Sequence, residues 1–122
     1  MAFNEGGERS EAFRVEDDLL TDVDGTLPMP VLSTPGMISM MELAAANLVR
    51  DDLPPGHATV GFEVNVRHVG GALEGADCVA TARLREVIDG RKLRFDVEVL
   101  EGDRTIGVGT HERRMIATDQ LG

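Results

Sequence analysis

The chain has 122 residues and a formal net charge of −10, from 22 acidic residues against 12 lysines and arginines. Its length suits one domain with a single core, and a hydrophobic content of 42% excludes a disordered chain. The acidic balance argues against nucleic acid as a partner, because phosphate binding requires a basic surface.

The sequence carries no export or membrane signal. No apolar run is long enough to cross a bilayer, and residues 1–10 lack the basic and then apolar pattern of a signal peptide. We therefore expect a cytoplasmic protein with no membrane partner. The single cysteine, Cys78, cannot form an internal disulfide, and no cluster of cysteine and histidine has zinc spacing, so neither a metal nor another cofactor is expected.

The N-terminal 30 residues contain a polar segment, one short strand pattern and a loop. Residues 1–11 contain glycines and charges, and we expect them to be a flexible tail ahead of a single domain at 12–122. Phe13 and Val15 alternate with polar residues, as in a short strand. The stretch from Asp22 to Pro30 collects Asp, Gly and Pro, and it predicts a loop leading into a helix.

One helix is predicted, in the stretch 34–49. Thr34 suits the N-cap and Pro35 suits the first turn, where its missing N–H costs nothing, so the helix should start at Pro35 or Gly36. Apolar residues then recur at spacings of three and four before the break at Pro54-Pro55-Gly56. These positions are Met37, Ile38, Met41, Ala45, Leu48 and Val49. The pattern is typical of a buried helix.

Glu42 interrupts the apolar pattern of this helix. Its neighbours three and four positions away are Ile38, Ala45, Ala46 and Val49. A carboxylate among them should be desolvated, and it then needs a partner or a shifted pKa, which is a property of functional sites. The alternative is a packed side chain whose carboxylate reaches water or an arginine.

After residue 56 the apolar period changes to two, which predicts four antiparallel strands. The apolar sets are Val60, Phe62, Val64 and Val66; then Cys78, Ala80, Ala82 and Leu84; then Leu93, Phe95, Val97 and Val99; and last Ile106, Val108, Met115 and Ile116. All members of the first set are expected to face the core, and His68 continues their register toward the helix. Asp89-Gly90 predicts a type I′ hairpin turn. Cys78 is expected in the core.

These elements predict an α+β fold in which a curled antiparallel sheet wraps around one central helix. A sheet of this size leaves one edge uncovered, and we therefore expect a homodimer that continues the sheet.

Five strings of this sequence resemble hotdog-fold thioesterases related to fluoroacetyl-coenzyme A thioesterase. They are Thr34-Pro35-Gly36-Met37-Ile38-Ser39-Met40-Met41-Glu42, Thr59-Val60-Gly61, Val66-Arg67-His68, Gly90-Arg91-Lys92-Leu93 and Ile106-Gly107-Val108-Gly109-Thr110-His111-Glu112-Arg113. The resemblance covers about residues 12–117. It implies a hotdog fold and the hydrolysis of a small acyl-coenzyme A substrate.

The resemblance also implies roles for individual residues. Thr34, Glu42 and His68 occupy the positions of the family's catalytic threonine, glutamate and histidine. Gly61 matches a glycine whose backbone N–H lies near the bound acyl group, and Arg113 matches an arginine that we carry over as a candidate substrate contact. The family's fluoroacetyl-specific member has phenylalanines in the loop before the helix, whereas the matching loop here has none, so fluoroacetyl selectivity is not carried over.

The chemistry of the residues leaves several roles open. Glu42 could be a base, a nucleophile or the group that orients His68, and Thr34 could be a nucleophile or a polarising donor beside the N–H groups of the helix N-terminus. Alone, Thr34 would be a plain N-cap and His68 a strand-end histidine. The rival functions are a non-catalytic hotdog module that binds an acyl thioester or small acid, and a hotdog dehydratase. His57 and His111 have no assigned partner.

Overall fold

The structure is a computed structural model that describes residues 3–121. The elements are β1 (Glu8–Arg14), β2 (Leu20–Thr21), β3 (Val31–Leu32), α1 (Thr34–Val49), β4 (His57–His68), β5 (Asp77–Ile88), β6 (Lys92–Glu101) and β7 (Arg104–Ala117). Short 3₁₀ turns cover Asp17–Leu19, Arg50–Asp52 and Thr118–Gln120. Among the helices in this part of the chain, none has the length and apolar character that a membrane crossing requires.

Five strands form one antiparallel sheet in the order β1-β5-β6-β7-β4, and α1 packs against one face of it. The predicted α+β arrangement of a sheet around one helix is therefore confirmed. The type I′ turn is confirmed as well, because Asp89 and Gly90 both have positive φ, at 56° and 70°. The strands β2 and β3, which the sequence did not predict, form a small ribbon before the helix.

The first strand begins earlier than the composition indicated. It starts at Glu8, which pairs with Arg83 of β5, so residues 8–11 belong to the sheet rather than to the flexible tail expected over 1–11. Their polar side chains are compatible with a strand because β1 is at an edge of the sheet, where one face and one side meet water.

The helix also begins one residue earlier than predicted. Its N-cap is Ser33, whose Oγ accepts a hydrogen bond from Gly36 N–H at 2.9 Å, and Thr34 is the first helical residue. Both residues can cap a helix, and the chain uses the first of them. Because Ser33 makes the cap hydrogen bond, the Thr34 hydroxyl is available for another partner.

The core lies between α1 and the inner faces of β5, β6 and β7. Its largest buried side chains are Phe95, Leu32, Met37, Met41, Leu84, Leu93 and Ile106. The helix approaches β7 so closely that a side chain at Gly107 would collide with Met37 and Met41. Ile38 and Leu48, which were predicted to be buried, are only partly covered.

Strand β4 departs from the predicted alternation. A β-bulge interrupts its pairing with β7 between Gly61 and Glu63, and a bulge reverses which residues face each side of a sheet. Val64 continues the register of His68, but Val60 and Phe62 do not share it. Phe62 lies under Arg114 on the outer face and is 58% exposed, so the prediction that it belongs to the core is wrong. Val60 and Val64, which were predicted to face the core as well, are also exposed.

Candidate active site

Two of the predicted site residues meet at the N-terminus of the helix. Thr34 Oγ1 lies 2.9 Å from Nδ1 of His68, at the end of β4. Thr34 is free to make this contact because Ser33 caps the helix. The second ring nitrogen of His68, Nε2, is buried and has no hydrogen-bond partner among residues 3–121. A buried polar atom of this kind is available to a ligand or to another chain.

Three others meet about two turns further along the helix. Oε2 of Glu42 lies 3.5 Å from Nη1 of Arg113, and a Cβ atom built on Gly61 would be 2.6 Å from the same carboxylate oxygen. Only glycine therefore leaves room for the Glu42 carboxylate in this position. A carboxylate, a guanidinium and an open stretch of backbone converge there.

The bulge in β4 creates this second cluster. Because the register shifts at Phe62, Gly61 pairs with Arg113 and shares its face of the sheet. Without the extra residue, the strand would present Val60 or Phe62 to Glu42. A glycine within a strand pattern is a recognised sign of a bulge, and that signal could have corrected the predicted alternation.

The guanidinium of Arg113 is held firmly in place. Its Nε donates to Thr59 Oγ1 at 2.9 Å, its Nη2 donates to the Thr59 carbonyl at 3.1 Å, and its Nη1 lies 3.2 Å from His111 Nε2. The Arg113 side chain is only 10% exposed. Burial lowers the pKa of Arg113, and the charge of Glu42 opposes that shift.

His111 belongs to the second cluster, although the sequence assigned it no partner. Its Nδ1 lies 2.8 Å from the Glu63 carbonyl oxygen, and its ring stacks on Phe95 at a centroid distance of 6.0 Å. Burial lowers the pKa of His111, and the hydrogen bond to the Glu63 carbonyl partly opposes this. The alternation of β7 places His111 two residues before Arg113 on the same face, which is the only local sign of their association.

The expected meeting of Glu42 and His68 does not occur within one chain. His68 is bonded to Thr34, whereas the neighbours of the Glu42 carboxylate are Arg113 and His111. Thr34 and Glu42 are eight residues apart on the helix, which corresponds to about 12 Å along its axis. The Glu42 side chain is also 39% exposed, so the expectation of a desolvated carboxylate is wrong for the single chain.

Cys78 and His57 lie outside both clusters. Cys78 is buried, as predicted, and burial raises the pKa of its thiol, which disfavours the nucleophilic thiolate. His57 Nδ1 lies 2.9 Å from the Pro55 carbonyl oxygen near the start of β4.

An apolar cavity of about 500 Å³ lies at the opposite end of the helix. Its lining includes Phe3, Asp52, Pro54, Val87 and Met115. None of the predicted site residues contributes to this lining. Among residues 3–121, no group of three or more His, Cys, Asp and Glu side chains is placed to hold a metal ion.

A protein-family model described as fluoroacetyl-CoA-specific thioesterase matches residues 15–119. The chain belongs to this thioesterase family. A fluoroacetyl-CoA thioesterase from Streptantibioticus cattleyicolor is 36% identical over 91 residues, which cover 75% of this chain and 65% of that protein. The matched region thus spans about two thirds of the length of this family member.

Solved structures of the family have the same fold. The fluoroacetyl-CoA thioesterase FlK superposes with a TM-score of 0.88 at 28% identity, over 98% of this chain and 93% of that chain. A variant of FlK in complex with fluoroacetate and coenzyme A superposes with a TM-score of 0.89 at 27% identity, over 98% and 100% of the two chains. The hotdog fold and the family resemblance expected from the sequence are confirmed.

Proposed function

We propose that this protein hydrolyses a small acyl-coenzyme A thioester, with Thr34, Glu42 and His68 as its catalytic residues. The observation that carries the proposal is the hydrogen bond of 2.9 Å between Thr34 Oγ1 and His68 Nδ1 in a chain of this thioesterase family. It pairs a hydroxyl with a potential base, as nucleophilic and acid–base catalysis require. A variant of FlK has been solved with fluoroacetate and coenzyme A, which supports the substrate class.

The two clusters have complementary tasks. Thr34, bonded to His68, polarises the thioester carbonyl, and Glu42 supplies the base or the nucleophile. Glu42 takes a proton from water that attacks the thioester carbonyl, or attacks it directly to form an acyl-enzyme that water then cleaves. A C–O bond forms and the C–S bond breaks. The departing thiolate takes up the proton that the water loses, so that the products are the free acid and coenzyme A. The N–H of Gly61 and the guanidinium of Arg113 stabilise the carbonyl oxygen as it becomes negative.

We further propose that the two clusters meet across a homodimer. Within residues 3–121 no strand pairs with the outer edge of β4, and Val60 and Val64 on it are 40% and 39% exposed. Antiparallel pairing of β4 with its own copy about Val64 would bring His68 of one copy opposite Val60, next to Gly61, at the His57–Gly61 end of the other. Glu42 and Arg113 lie at that end, so each pocket would contain residues of both copies.

Replacement of the acid and the imidazole tests the catalytic roles. Glu42→Gln and His68→Ala should each lower kcat by roughly 10²–10⁴ in thiol release from short and medium acyl-coenzyme A substrates. Arg14→Ala is the control, since Arg14 lies on β1, at the sheet edge opposite β4, with a side chain that is 58% exposed, and it should retain the original rate. Losses below about tenfold in both variants would remove Glu42 and His68 from the chemistry.

The same thiol-release assay tests the rival function, a non-catalytic binding module, and the selectivity between acyl groups. Coenzyme A binding without thiol release from any acyl group would favour the non-catalytic hotdog module. The loop from Asp22 to Pro30 has no phenylalanine, and we therefore expect similar kcat/KM values for acetyl- and fluoroacetyl-coenzyme A. A strong preference for the fluorinated substrate would show that selectivity arises outside this loop.

Mixing the two inactive variants tests the composite site. A heterodimer of Glu42→Gln and His68→Ala chains has one pocket with both substitutions and one with neither. Refolding the variants together should restore about a quarter of the wild-type rate, because half of the dimers would be mixed and half of their pockets intact. No recovery, with dimers present by size-exclusion chromatography, would place each pocket within a single chain.

A further inference from the structure

The hydrogen bonds of His111 determine which of its nitrogens carries the proton. A carbonyl oxygen can only accept, so Nδ1 of His111, 2.8 Å from the Glu63 carbonyl oxygen, must be the donor. In the neutral ring Nε2 is then an acceptor, and the group 3.2 Å from it is the N–H of Arg113 Nη1. The neutral ring satisfies both neighbours at once.

The surroundings of the ring favour this neutral form. His111 is 3% exposed and stacks on Phe95 of β6. Burial is the largest influence and lowers its pKa, and the charge of Arg113 on β7 acts in the same direction. The hydrogen bond to the Glu63 carbonyl on β4 and the charge of Glu42 on α1, whose Oε2 is 3.9 Å from Nε2, oppose this shift. A protonated ring would place a second cation against Arg113 and lose the acceptor at Nε2.

His111 completes the set of contacts that orients the guanidinium of Arg113. A guanidinium has five N–H donors in a rigid fork. Thr59 accepts two of them, from Nε and Nη2, and His111 accepts a third, from Nη1. One further N–H on Nη1 is directed to the region of Glu42 Oε2, 3.5 Å away. The neutral acceptors thus fix the fork without cancelling its charge.

We propose that His111 is a positioning residue, which holds the Arg113 guanidinium toward the acyl group at the meeting point of Gly61 and Glu42. This role rests on the proposed thioesterase function, but its structural basis can be measured without catalysis. The competing role is that of a core residue that only packs on Phe95. In that case an apolar side chain of similar size would serve equally well.

A pair of substitutions separates positioning from packing. His111→Gln keeps an acceptor near the position of Nε2, whereas His111→Leu keeps only the apolar volume. We expect kcat/KM to fall roughly 10- to 100-fold in His111→Leu, because small misplacements of a binding group have effects of this size. His111→Gln should recover most of the rate. Arg14→Leu is the control, because Arg14 lies on β1, at the sheet edge opposite β4, with a side chain that is 58% exposed, and it should leave the rate unchanged.

A double-substitution cycle tests whether His111 acts through Arg113. In the background of Arg113→Met, His111→Leu should change kcat/KM by less than about twofold, because the group that it orients is already absent. An undiminished loss in that background would overturn the positioning role. Full activity of His111→Leu on the wild-type background would overturn it as well.

The protonation of the ring gives a readout that is independent of activity and of the variants. In the wild-type protein, ¹⁵N NMR of labelled histidine should show a neutral His111 with its proton on Nδ1 at pH 7. A proton on Nε2, or on both nitrogens, would contradict the proposal even if the variants fail to fold. If the wild type releases no thiol from any acyl-coenzyme A, the proposed function fails while this measurement still decides the geometry of His111.

Discussion

Arg113 and Arg114 are neighbours on β7, yet the two faces of the sheet use the same side chain differently. Arg113 is buried on the helix side, where Thr59 accepts two of its hydrogen bonds and the nearest carboxylate oxygen is 3.5 Å away. Arg114 lies on the outer face, where its Nε is 2.6 Å from Glu112 Oε2 and its Cζ is 3.6 Å from the centre of the Phe62 ring.

The difference lies in how each charge is compensated. Glu112 is paired with Arg114 and also with Arg94, whose Nε is 3.0 Å away, and the hydrogen bond from Arg114 is the main reason that the pKa of Glu112 is lowered. That network is locally neutralised and suits a structural role. Arg113 has two neutral partners, Thr59 and His111, and one carboxylate, that of Glu42, whose contact of 3.5 Å is longer than either ion pair of Glu112. Its positive charge is therefore less fully compensated and can stabilise an oxygen that becomes negative.

Among the four predictions that compare the two faces, the largest effect is expected when each arginine is replaced separately. Arg113→Met should lower kcat/KM for the acyl-coenzyme A substrate roughly 10²- to 10³-fold, the usual result of removing one oxyanion donor. Arg114→Met removes the same charge from the outer face and should change kcat/KM by less than about twofold. Thiol-release kinetics measure both variants, and equal losses would show that the proposed division between the faces is wrong.

A methyl group at Gly61 should disturb the inner cluster while preserving the fold. Its Cβ would be 2.6 Å from Glu42 Oε2, the mobile end of a side chain, so the carboxylate must move but the backbone need not. We expect kcat/KM to fall roughly 10- to 100-fold in Gly61→Ala with little change in melting temperature. Gly71→Ala is the control, because a Cβ there meets no atom of the described residues 3–121 within 4 Å.

Glu112 tests the structural role of the outer face. Its side chain is 6% exposed, and it accepts hydrogen bonds from Arg94 and Arg114. Glu112→Gln should lower the free energy of unfolding by roughly 1–3 kcal/mol, the cost of weakening hydrogen bonds to a buried charged group. Urea denaturation measures the loss, while kcat at saturating substrate should stay within about twofold of the wild type. A stable but inactive variant would contradict this assignment.

The smallest effect among these four predictions should be the pH dependence of the free energy of unfolding. The folded pKa of Glu112 lies below its ordinary value of 4.5, so the unfolded state binds more protons as the pH falls. The contribution of the Glu112 carboxylate to the free energy of unfolding is present above about pH 4.5 and is lost as the pH falls through the folded pKa. The difference in unfolding free energy between wild type and Glu112→Gln should therefore shrink below that pH. A constant difference down to pH 3 would exclude this linkage.

The sequence by itself determined the class of fold and the residues worth testing. A period of three to four over 34–49 and a period of two beyond residue 56 were enough to predict one helix and its sheet, since burial of an apolar face imposes these periods. Alternation on β5 and β6 placed Ala80, Leu84, Phe95 and Val99 correctly in the core. Motif resemblance selected Thr34, Glu42, His68, Gly61 and Arg113, whose catalytic and binding roles stay predictions.

Only the tertiary structure decided which of these residues meet. One extra residue at Phe62 reverses the faces of β4 and brings Gly61 to Glu42, and the cap at Ser33 frees Thr34 for His68. Periodicity describes which side of an element is apolar, but it does not encode a register shift, a choice between two capping residues or a contact between distant strands. For that reason His111 had no partner in the sequence and acquires one only in the fold.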